Sequence, residues 1–289
     1  MNAANPCRVL VTGATGFVGR HVVEALLRRG HTVTVLCRDA AKAAAMPWAG
    51  RAEVVPGDIA SLTPAQLDRL AAHDCILHLA WEGLPDYKAE TQVTEVLPRH
   101  LAFLTELVAR GARHLLVTGT CLEYGLQEGA LAEDRPCAPV TAYGRAKDAL
   151  RRALEPLCAA RGVVLQWARL FYMHGPGQSE KSLLSQLDRA ISVGAESFNM
   201  SGGEQLRDYL PVAEAADLLV RVAGQTRVSG IVNCASGRPV SVRALVEERL
   251  RERGAKLALN LGHYPYPDYE PMGFWADTTK LKGIIEPDE

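Results

Sequence analysis

The chain has 289 residues, of which 48% are hydrophobic and 22% are charged, and its formal net charge is −1. This composition is typical of a globular protein that buries a sizeable core in one large domain, with or without a smaller lobe. The near-neutral charge argues against electrostatic binding of nucleic acid or of a membrane surface, and no run of about 18 apolar residues predicts a membrane-spanning helix.

The cysteines and the N-terminus bear on the cellular compartment. Seven cysteines lie far apart in sequence and form no C-x-x-C pair: Cys7, Cys37, Cys75, Cys121, Cys137, Cys158 and Cys234. An odd number in a long chain does not suggest a disulfide framework, so we expect reduced thiols that pack as small apolar groups and bind no metal. The N-terminus lacks the basic start and apolar run of a secretory signal. These patterns predict a cytoplasmic protein.

In chain order, short apolar runs alternate with stretches of helical spacing across residues 1–170. Strands are predicted at 8–12, 32–37, 52–56, 75–79, 114–118 and 163–169. Helices are predicted at 17–29, 62–71, 90–110 and 143–161. Because continuous apolar strands alternate with helices, the pattern indicates a parallel sheet covered on both faces, and right-handed crossovers make it a doubly wound α/β fold.

After residue 170 the regular alternation stops. Helices are predicted at 182–193, 213–222 and 242–253, with short strands at 198–200 and 230–234. We therefore expect residues 171–289 to form mainly a smaller substrate-binding lobe, with some segments returning to the sheet of the dinucleotide-binding part, 1–170. In open α/β sheets the ligand crevice lies beyond the carboxyl ends of the strands, and the lobe is expected to cover it.

A glycine-rich turn links the first predicted strand to the first predicted helix. Residues 11–19 read Val-Thr-Gly-Ala-Thr-Gly-Phe-Val-Gly, the spacing of a dinucleotide fingerprint. Its glycines allow a tight turn, close approach of the backbone to a pyrophosphate, and close packing of the helix on the strand. Since the helix N-terminus then faces the anion, cofactor contacts are expected at Gly13, Thr15, Gly16, Phe17 and Val18.

The end of the second predicted strand bears on the choice of cofactor. An acidic residue there would bond the adenosine ribose and favour NAD, but the chain has Cys37 followed by Arg38. Unless it is only a solvated loop charge, Arg38 can pair bidentately with a 2′-phosphate, so NADP(H) is the preferred cofactor and NAD(H) the alternative. Asp39 lies one place later and can instead start a helix. After the third strand, Asp58 and Ile59 are placed for the adenine edge, or Asp58 closes a turn with its own side chain.

A phenol and an ammonium lie one helical turn apart at Tyr143 and Lys147, on one face of the helix predicted at 143–161. A free phenol titrates at about 10, too high for acid-base catalysis near neutrality, and a neighbouring ammonium lowers that pKa. The preceding strand ends near Thr120, whose hydroxyl can hydrogen-bond a substrate carbonyl in the same crevice. Taken singly, these residues also suit a helix surface or a turn; taken together, we expect them to be catalytic.

With these motifs in place, the chain resembles the extended short-chain dehydrogenase/reductase family of nucleotide-sugar epimerases, dehydratases and reductases. The resemblance covers nearly the whole chain and rests on the TGxxGxxG loop, the Thr120 strand end followed by Tyr124 and Gly125, and the YxxxK pair. His78-Leu79-Ala80, the segment 169–177 ending in Gly-Pro-Gly, and Arg207-Asp208-Tyr209 resemble further family segments. The resemblance implies a Rossmann-type fold with a smaller C-terminal substrate-binding lobe.

The resemblance also assigns residues and partners. It places Leu79, Ala80, Tyr143 and Lys147 against the cofactor. Substrate contacts are expected at Trp81, Cys121, Glu123, Tyr172 and Arg207, with the arginine on the diphosphate. The implied partners are a nucleotide sugar linked through dTDP, CDP or GDP and a second copy of the chain, in a homodimer built on the helices at 90–110 and 143–161.

The sequence departs from the family pattern at three places. Many members carry Asn near the start of the helix before the fifth strand, where this chain has Gln92, Val93, Thr94 and Glu95. The Asn of a family RxxN segment is replaced around Tyr172. Pro98 falls inside the helix predicted at 90–110, which predicts a kink or a late helix start.

The cofactor separates the functions that the resemblance allows. Family epimerases and dehydratases return the hydride to the sugar and recycle NAD, whereas a net reductase draws on NADPH, so Arg38 favours a reductase. We expect it to reduce the 4-keto group of a nucleoside-diphosphate 4-keto-6-deoxyhexose in deoxysugar biosynthesis. The alternatives are an epimerase or, less favoured because Cys121 and Leu122 replace an Asp-Glu pair, a dehydratase using Glu123. A non-catalytic NADP-binding sensor is the third, although such proteins lack the Tyr–Lys pair.

Overall fold

The structure, a computed structural model, describes residues 6–286. Within this range the strands are β1 (Arg8–Thr12), β2 (Thr32–Cys37), β3 (Glu53–Pro56), β4 (Cys75–His78), β5 (His114–Thr120), β6 (Gly129–Leu131), β7 (Val164–Leu170), β8 (Tyr172–His174), β9 (Ser197–Asn199), β10 (Leu206–Pro211), β11 (Gly230–Cys234), β12 (Pro239–Ser241), β13 (Ala258–Asn260) and β14 (Phe274–Ala276). The α-helices are α1 (Phe17–Arg28), α2 (Ala40–Ala44), α3 (Pro64–Ala71), α4 (Leu97–Ala109), α5 (Ala142–Arg161), α6 (Leu183–Ser192), α7 (Val212–Ala223), α8 (Val242–Arg253) and α9 (Thr279–Ile285). No helix of this described part is long and apolar enough to cross a bilayer.

A parallel sheet organises the described chain, with the strand order β11-β7-β5-β4-β1-β2-β3. Its neighbouring strands are all parallel, with Arg8 opposite Thr32 at one end of the β1–β2 pair. The chain runs outward from β1 to β3, crosses back to β4 and then runs outward the other way. The carboxyl ends of β1 and β4 therefore border the crevice where doubly wound sheets bind ligands. The predicted fold class is confirmed.

Helices cover both faces of this sheet because each presents an apolar stripe to it. On one face α1, α7 and α9 bury Val22, Leu219 and Leu281 among others. On the other face α3, α4 and α5 bury a second set that includes Leu104 and Leu150. Burial of apolar surface is the main favourable term in folding, and here it holds the strand ends that carry the site.

The segments after β7 divide between the sheet and a smaller lobe. β11 returns to the sheet as an edge strand beside β7, and α7 packs on α1. The other strands form the small sheets β12-β10-β8, β13-β9 and β14-β6. In the lobe α6 and α8 bury Leu187, Val246 and Leu250 with Phe198 of β9 in a separate apolar cluster. The chain after β7 thus adds an edge to the sheet and a second small core beyond its carboxyl ends.

The long helix predicted at 90–110 differs from the observed one at its start. A π-helical turn occupies Gln92–Val96, and α4 begins only at Leu97. Pro98 lies in the first turn of α4, where its missing N–H group breaks no hydrogen bond. The late start that Pro98 predicted is confirmed. β5 also continues to Thr120 instead of ending at residue 118.

Candidate active site

Close backbone contacts shape the glycine-rich turn between β1 and α1. Gly13 has a φ of +72°, and a Cβ on it would lie 2.6 Å from the backbone nitrogen of Ala80, just beyond β4. A Cβ on Gly19 would lie 2.1 Å from the carbonyl oxygen of Gly13. Neither position has room for a side chain, so the glycines let β1, α1 and the end of β4 meet closely.

The N-terminal end of α1 is open to an anion. Gly16 is the N-cap, no side chain caps the helix, and its first turn holds no acidic residue. Thr15, Phe17 and Val18 are partly buried around this end. Among the described residues, therefore, no side-chain cap and no acidic group of the first turn neutralises the positive end of the helix dipole, and the cradle between the glycines fits the pyrophosphate of a dinucleotide.

Arg38 follows β2 with its side chain 60% exposed. Its Nη1 lies 3.6 Å from a carboxylate oxygen of Asp58 and 3.6 Å from one of Glu82. The Asp39 carboxylate is engaged elsewhere, because it caps α2 by accepting the backbone N–H of Lys42 at 2.9 Å. Asp58 also closes its own turn by accepting the N–H group two residues on, at 2.9 Å, which is the structural role that the sequence allowed for it. Arg38 thus offers a cation to a 2′-phosphate but shares it with two carboxylates.

A buried chain of hydrogen bonds joins the end of β1 to the edge of the crevice. The Thr12 hydroxyl bonds Nδ1 of His78 at 2.9 Å, and Nε2 of His78 lies 2.7 Å from Nδ1 of His100. Nε2 of His100 then lies 2.7 Å from Glu82. Burial lowers the pKa of both imidazoles, that of His78 well below its usual value, and the bond from His100 lowers the pKa of Glu82. Neutral imidazoles therefore link Thr12, which accepts the Ala80 N–H at 3.3 Å, to a charged carboxylate.

The three residues expected to be catalytic meet at the carboxyl end of β5. Thr120 ends that strand, Tyr143 and Lys147 lie in the first turns of α5, and all three are buried. The Thr120 side chain lies close enough to the Tyr143 phenol to oppose the rise of its pKa. Nζ of Lys147 donates to the Thr118 carbonyl oxygen at 2.9 Å and lies 5.9 Å from the centre of the Tyr143 ring. The fold thus brings the predicted trio together at the crevice.

The protonation of this trio differs from what the spacing predicted. Burial, and then the neighbouring Tyr87, raises the pKa of Tyr143 well above its usual range, while the Thr120 side chain opposes the rise. Burial lowers the pKa of Lys147 to about 7. The expected lowering of the phenol pKa by Lys147 is wrong for the protein alone, because burial outweighs it and the ammonium is directed at Thr118. The phenol therefore stands in its proton-donating form.

Trp81 and Gln92 close one side of the trio. Nζ of Lys147 lies 3.9 Å from the centre of the Trp81 ring, and this ring stacks on His100 with centroids 4.6 Å apart. Nε1 of Trp81 donates to Gln92 at 2.6 Å from within the π-helical turn. Gln92 thus positions Trp81, and π-helical turns often occur at functional sites. Trp81, expected at the substrate, covers the ammonium of Lys147.

Glu123 is the one predicted substrate contact that the structure contradicts. Its carboxylate is fully buried and lies 2.8 Å from Nε of Arg169, which is also fully buried. Nε1 of Trp167 donates to both of its oxygens, at 3.0 and 3.1 Å, and the backbone N–H of Thr120 donates to one of them at 2.9 Å. With its lone pairs engaged, Glu123 fixes the end of β5 and has no free oxygen for a substrate.

The remaining predicted substrate residues share a second buried cluster. Nε and Nη2 of Arg207 lie 3.3 and 2.9 Å from one carboxylate oxygen of Glu270. The Arg207 guanidinium carbon lies 5.7 Å from the centre of the Tyr172 ring and 4.7 Å from that of Phe274. Burial raises the pKa of Cys121, with a further rise from Glu270, so this thiol stays protonated beside the cluster. Arg207, Tyr172 and Cys121 are thus brought together.

Asp208, next to Arg207, anchors this cluster to the fold. It is fully buried, and its carboxylate accepts the backbone N–H groups of Ser236 at 2.9 Å, Gly237 at 2.8 Å and Ala276 at 3.2 Å. β10, the turn before β12, and β14 are therefore joined through one side chain. The Arg-Asp-Tyr motif combines a residue that faces the site with a residue that fixes the strand.

Two residues at the site carry no signal that the sequence patterns used. Tyr87 packs on Tyr143, with ring centroids 5.6 Å apart, and its carbonyl oxygen accepts the Tyr143 N–H at 3.0 Å. Glu270 pairs with Arg207 from the segment between β13 and β14. Both lie in irregular segments, where neither periodicity nor a family motif marks a residue.

The family model that matches this chain is that of the NAD dependent epimerase/dehydratase family, over residues 9–235. Among curated relatives, dTDP-6-deoxy-L-talose 4-dehydrogenase (NAD(+)) of Aggregatibacter actinomycetemcomitans is 30% identical over 270 residues, which are 93% of this chain and 98% of the relative. The dTDP-6-deoxy-L-talose 4-dehydrogenase (NAD(P)(+)) of Kitasatospora kifunensis is 35% identical over 285 residues, 91% of this chain and 84% of the relative.

Solved structures match the same fold. The structure of MoeE5 in complex with UDP-glucuronic acid and NAD has a TM-score of 0.82 and 28% sequence identity, and the match covers 96% of this chain and 92% of that one. The chain is therefore similar along nearly its whole length to an enzyme fold that holds a nucleotide sugar and NAD together.

Proposed function

The chain belongs to the NAD-dependent epimerase/dehydratase family, and from that premise we propose that it reduces the 4-keto group of a nucleoside-diphosphate 4-keto-6-deoxyhexose with NADPH. The two relatives support the carbon atom and the sugar class, since both are named as 4-dehydrogenases of a dTDP-linked 6-deoxy sugar. Oxidation of an alcohol and reduction of the ketone at one carbon are the two directions of a single equilibrium. A dTDP-linked substrate is the form proposed, with CDP- and GDP-linked sugars as alternatives.

One observation carries the proposal: the Tyr143 phenol is buried beside the Thr120 side chain at the end of β5, and burial raises its pKa, so that it keeps its proton. Reduction of a ketone needs a proton donor at the carbonyl oxygen, and a raised phenol pKa keeps that proton in place. Dehydration needs an additional acid and base, and Glu123, the carboxylate nearest in sequence to Thr120, is consumed by Arg169 and Trp167. The site is thus better equipped for reduction than for dehydration.

The mechanism follows from these positions. When bound, the reduced nicotinamide supplies the hydride that forms the new C–H bond at C4. Thr120 and Tyr143 hold the carbonyl oxygen, and Tyr143 transfers its proton to that oxygen as the charge develops, which gives the alcohol. Lys147 would hold the nicotinamide ribose, and in its protonated form it would stabilise the phenolate that the proton transfer leaves. Trp81 and Tyr87 exclude water from the reacting atoms.

The preference for NADPH rests on the end of β2. Asp39 is engaged as the cap of α2, so it does not compete for a ribose hydroxyl, and Arg38 is the exposed cation at that position. Its two carboxylate partners are 3.6 Å away and partly exposed, and such pairs are weak enough for a phosphate to displace. We propose that NADPH is preferred and that NADH is also accepted.

An epimerase is the second candidate, and the two carboxylates beside Arg38 are the observation that favours it. Because Arg38 is shared by two carboxylates, its attraction for a 2′-phosphate is reduced. A cofactor without that phosphate would then be retained and its hydride returned to the sugar. The catalytic trio serves both reactions, so the fate of the hydride separates them.

The test follows absorbance at 340 nm with purified protein, a nucleotide-linked 4-keto-6-deoxyhexose, and NADPH or NADH. Stoichiometric loss of NADPH, faster than loss of NADH, is the expected result for a reductase. Absence of net oxidation, with isomeric sugars in the product, would instead identify an epimerase.

We further propose that residues 171–289 supply most substrate contacts and that α4 and α5 form the interface of a homodimer.

A further inference from the structure

Arg207 is held in the lobe as a cation, and its anionic partner within the described part of the chain is Glu270. Its side chain is 2% exposed and that of Glu270 is 11% exposed. Nη1 donates to the carbonyl oxygens of Leu206 at 2.8 Å and Met272 at 3.3 Å, while Nε and Nη2 converge on one oxygen of Glu270. The edge formed by Nε and Nη2 is the one with which a guanidinium holds phosphate or carboxylate bidentately. Glu270 therefore occupies the arginine edge that an anionic ligand would use.

The partner carboxylate lies on an irregular segment, whereas the arginine lies on a strand. Arg207 belongs to β10, which Asp208 anchors, but Glu270 lies in the segment 261–273 between β13 and β14. This segment is tied to the loop after β4 by an exposed ion pair, Lys88 to Asp268 at 2.8 Å. Tyr269 and Tyr87 also meet across the two segments, with centroids 6.2 Å apart. The C-terminal end of the segment is fixed, because the carbonyl oxygen of Met272 accepts the Leu206 N–H at 2.8 Å. Glu270 therefore lies between this fixed end and exposed contacts, which are weak.

The Tyr172 hydroxyl is enclosed beside the pair. Both Glu270 and Arg207 interact with it, so an anion that displaces Glu270 from Arg207 also takes its place beside this hydroxyl.

We propose that Glu270 is a specificity-determining residue whose carboxylate occupies the subsite that the diphosphate of the substrate takes on Arg207. A ligand enters this subsite only by displacing one anion with another, so the pocket selects ligands that carry a diphosphate. A neutral sugar or a nucleoside cannot compensate the buried guanidinium and leaves Glu270 in place. This inference rests on the proposed function, because it takes a nucleoside diphosphate as the substrate.

The size of the effect follows from competition between two states. If Glu270 occupies Arg207 in most molecules, the apparent dissociation constant of a diphosphate is raised by the inverse of the open fraction. Neutralising the carboxylate removes that cost. We expect the Glu270→Gln protein to bind dTDP about tenfold more tightly, within the range usual for coupled equilibria.

The experiment measures the dissociation constants of dTDP, UDP and thymidine by calorimetry for the wild type, Glu270→Gln and Glu247→Gln. Glu247→Gln is the control, since it removes a partly exposed negative charge from α8 in the lobe, at its ion pair with Arg243, and leaves both Arg207 and the segment 261–273 untouched. The expected result is tighter dTDP binding in Glu270→Gln alone, with no change for thymidine. Glu270→Asp, which keeps the charge, should stay near the wild type. The gain should vanish in the Arg207→Ala background, where Glu270 has no guanidinium to occupy.

Other outcomes overturn the proposal in distinguishable ways. Equal dTDP affinity in the wild type and Glu270→Gln would show that Glu270 does not compete with the diphosphate. The proposal of a nucleotide-sugar substrate would be unaffected. An equal gain in Glu247→Gln would mean that the general charge of the lobe, and not the occupied guanidinium, governs binding. If the wild type and all variants bind NADP⁺ but none of dTDP, UDP, CDP and GDP, the proposed function fails together with this inference.

Discussion

Two walls of the candidate site, the sheet wall at the end of β5 and the lobe wall at β10, each contain a buried ion pair between an arginine and a glutamate. The two pairs differ in how firmly the glutamate is held. On the sheet wall, Glu123 and Arg169 are both fully buried, and Trp167 and a backbone N–H complete the coordination of the carboxylate. On the lobe wall, Arg207 rests on a strand but its partner Glu270 sits on an irregular segment and keeps some exposure. Both pairs join a guanidinium to a carboxylate. They differ in whether the fold allows the carboxylate to leave the arginine.

This difference assigns separate roles to the two walls. A buried charge that cannot move contributes specificity of structure, and its loss is costly because the partner stays buried. A pair that can open can exchange its internal anion for an external one. The sheet wall is therefore assigned to chemistry and stability, and the lobe wall to substrate selection. Each of the following experiments separates these roles.

The largest expected effect is on the sheet wall, from Tyr143→Phe. We expect kcat to fall by more than about 1000-fold because the proton donor is removed, with little change in KM for the sugar nucleotide. Tyr124→Phe is the matched control: its hydroxyl is buried too, but donates to Asn233 at 2.8 Å. That variant should lose stability and keep kcat. Near-normal turnover by Tyr143→Phe would remove the phenol from the mechanism.

Breaking the fixed pair tests the comparison directly. Glu123→Gln leaves Arg169 buried without a countercharge, and we expect a loss of about 3–5 kcal/mol in the free energy of unfolding. Glu270→Gln should cost less than half as much, since Arg207 keeps its two carbonyl acceptors and its site can admit an anion. Urea unfolding followed by circular dichroism, with and without phosphate, compares the two. Equal losses would mean that the pairs are equivalent.

The sheet wall was largely predictable from the sequence, and the lobe wall was not. The strands and the helix that position Gly13, Thr120 and Tyr143 follow from apolar periodicity, and the roles of these residues follow from spacing that chemistry requires. Glu123 was misassigned because sequence position gives no burial, and an acidic residue beside a catalytic threonine suits a substrate contact as well as a core ion pair. Only the neighbouring strand β7 places Arg169 and Trp167 beside it.

The lobe residues escaped prediction for a physical reason. Glu270 meets Arg207 across 63 positions of chain, through a segment with no helix or strand period. Tyr87 likewise reaches Tyr143 from a loop. Short strands such as β8 and β12 hold three residues each, too few to show an alternation. Contacts of this type arise from tertiary packing alone.

On the sheet wall, burial of the Lys147 ammonium lowers the stability of the native protein, and a third variant on this wall can reveal that effect. Burial lowers the pKa of Lys147 from 10.5 to about 7. Between those values the unfolded chain binds a proton that the native protein does not, so native stability rises with pH, and the penalty is complete below about pH 7. We expect Lys147→Met to lose activity yet to melt a few degrees higher than the wild type at pH 6, with the gain shrinking toward pH 10.

Lys280 is the matched control for that experiment. Burial lowers its pKa as well, and its ammonium donates to the Ser229 and Ile231 carbonyl oxygens. Lys280 lies on α9 beside the edge strand β11, away from the catalytic trio. Lys280→Met should retain turnover. A lower melting temperature of Lys147→Met at pH 6 would show that the bond to Thr118 outweighs the desolvation of the ammonium.

The smallest expected effect sharpens the comparison, because it concerns an openable pair on the sheet wall. Glu82 lies 3.6 Å from Nη1 of Arg38 and receives the hydrogen bond of His100. Glu82→Gln keeps a hydrogen-bond acceptor for His100 but removes a negative charge from the proposed 2′-phosphate site. We expect the ratio of kcat/KM for NADPH to that for NADH to rise about threefold to tenfold, since nearby opposite and like charges change binding by such factors at partly exposed sites.

Glu53→Gln, at the start of β3, is a control that removes an exposed carboxylate away from Arg38. An unchanged ratio in Glu82→Gln would mean that Arg38 is already free to pair with the phosphate. A raised ratio would show that an exchangeable carboxylate tunes ligand choice on this wall too, so that exchangeability, and not membership of sheet or lobe, decides the role of an ion pair.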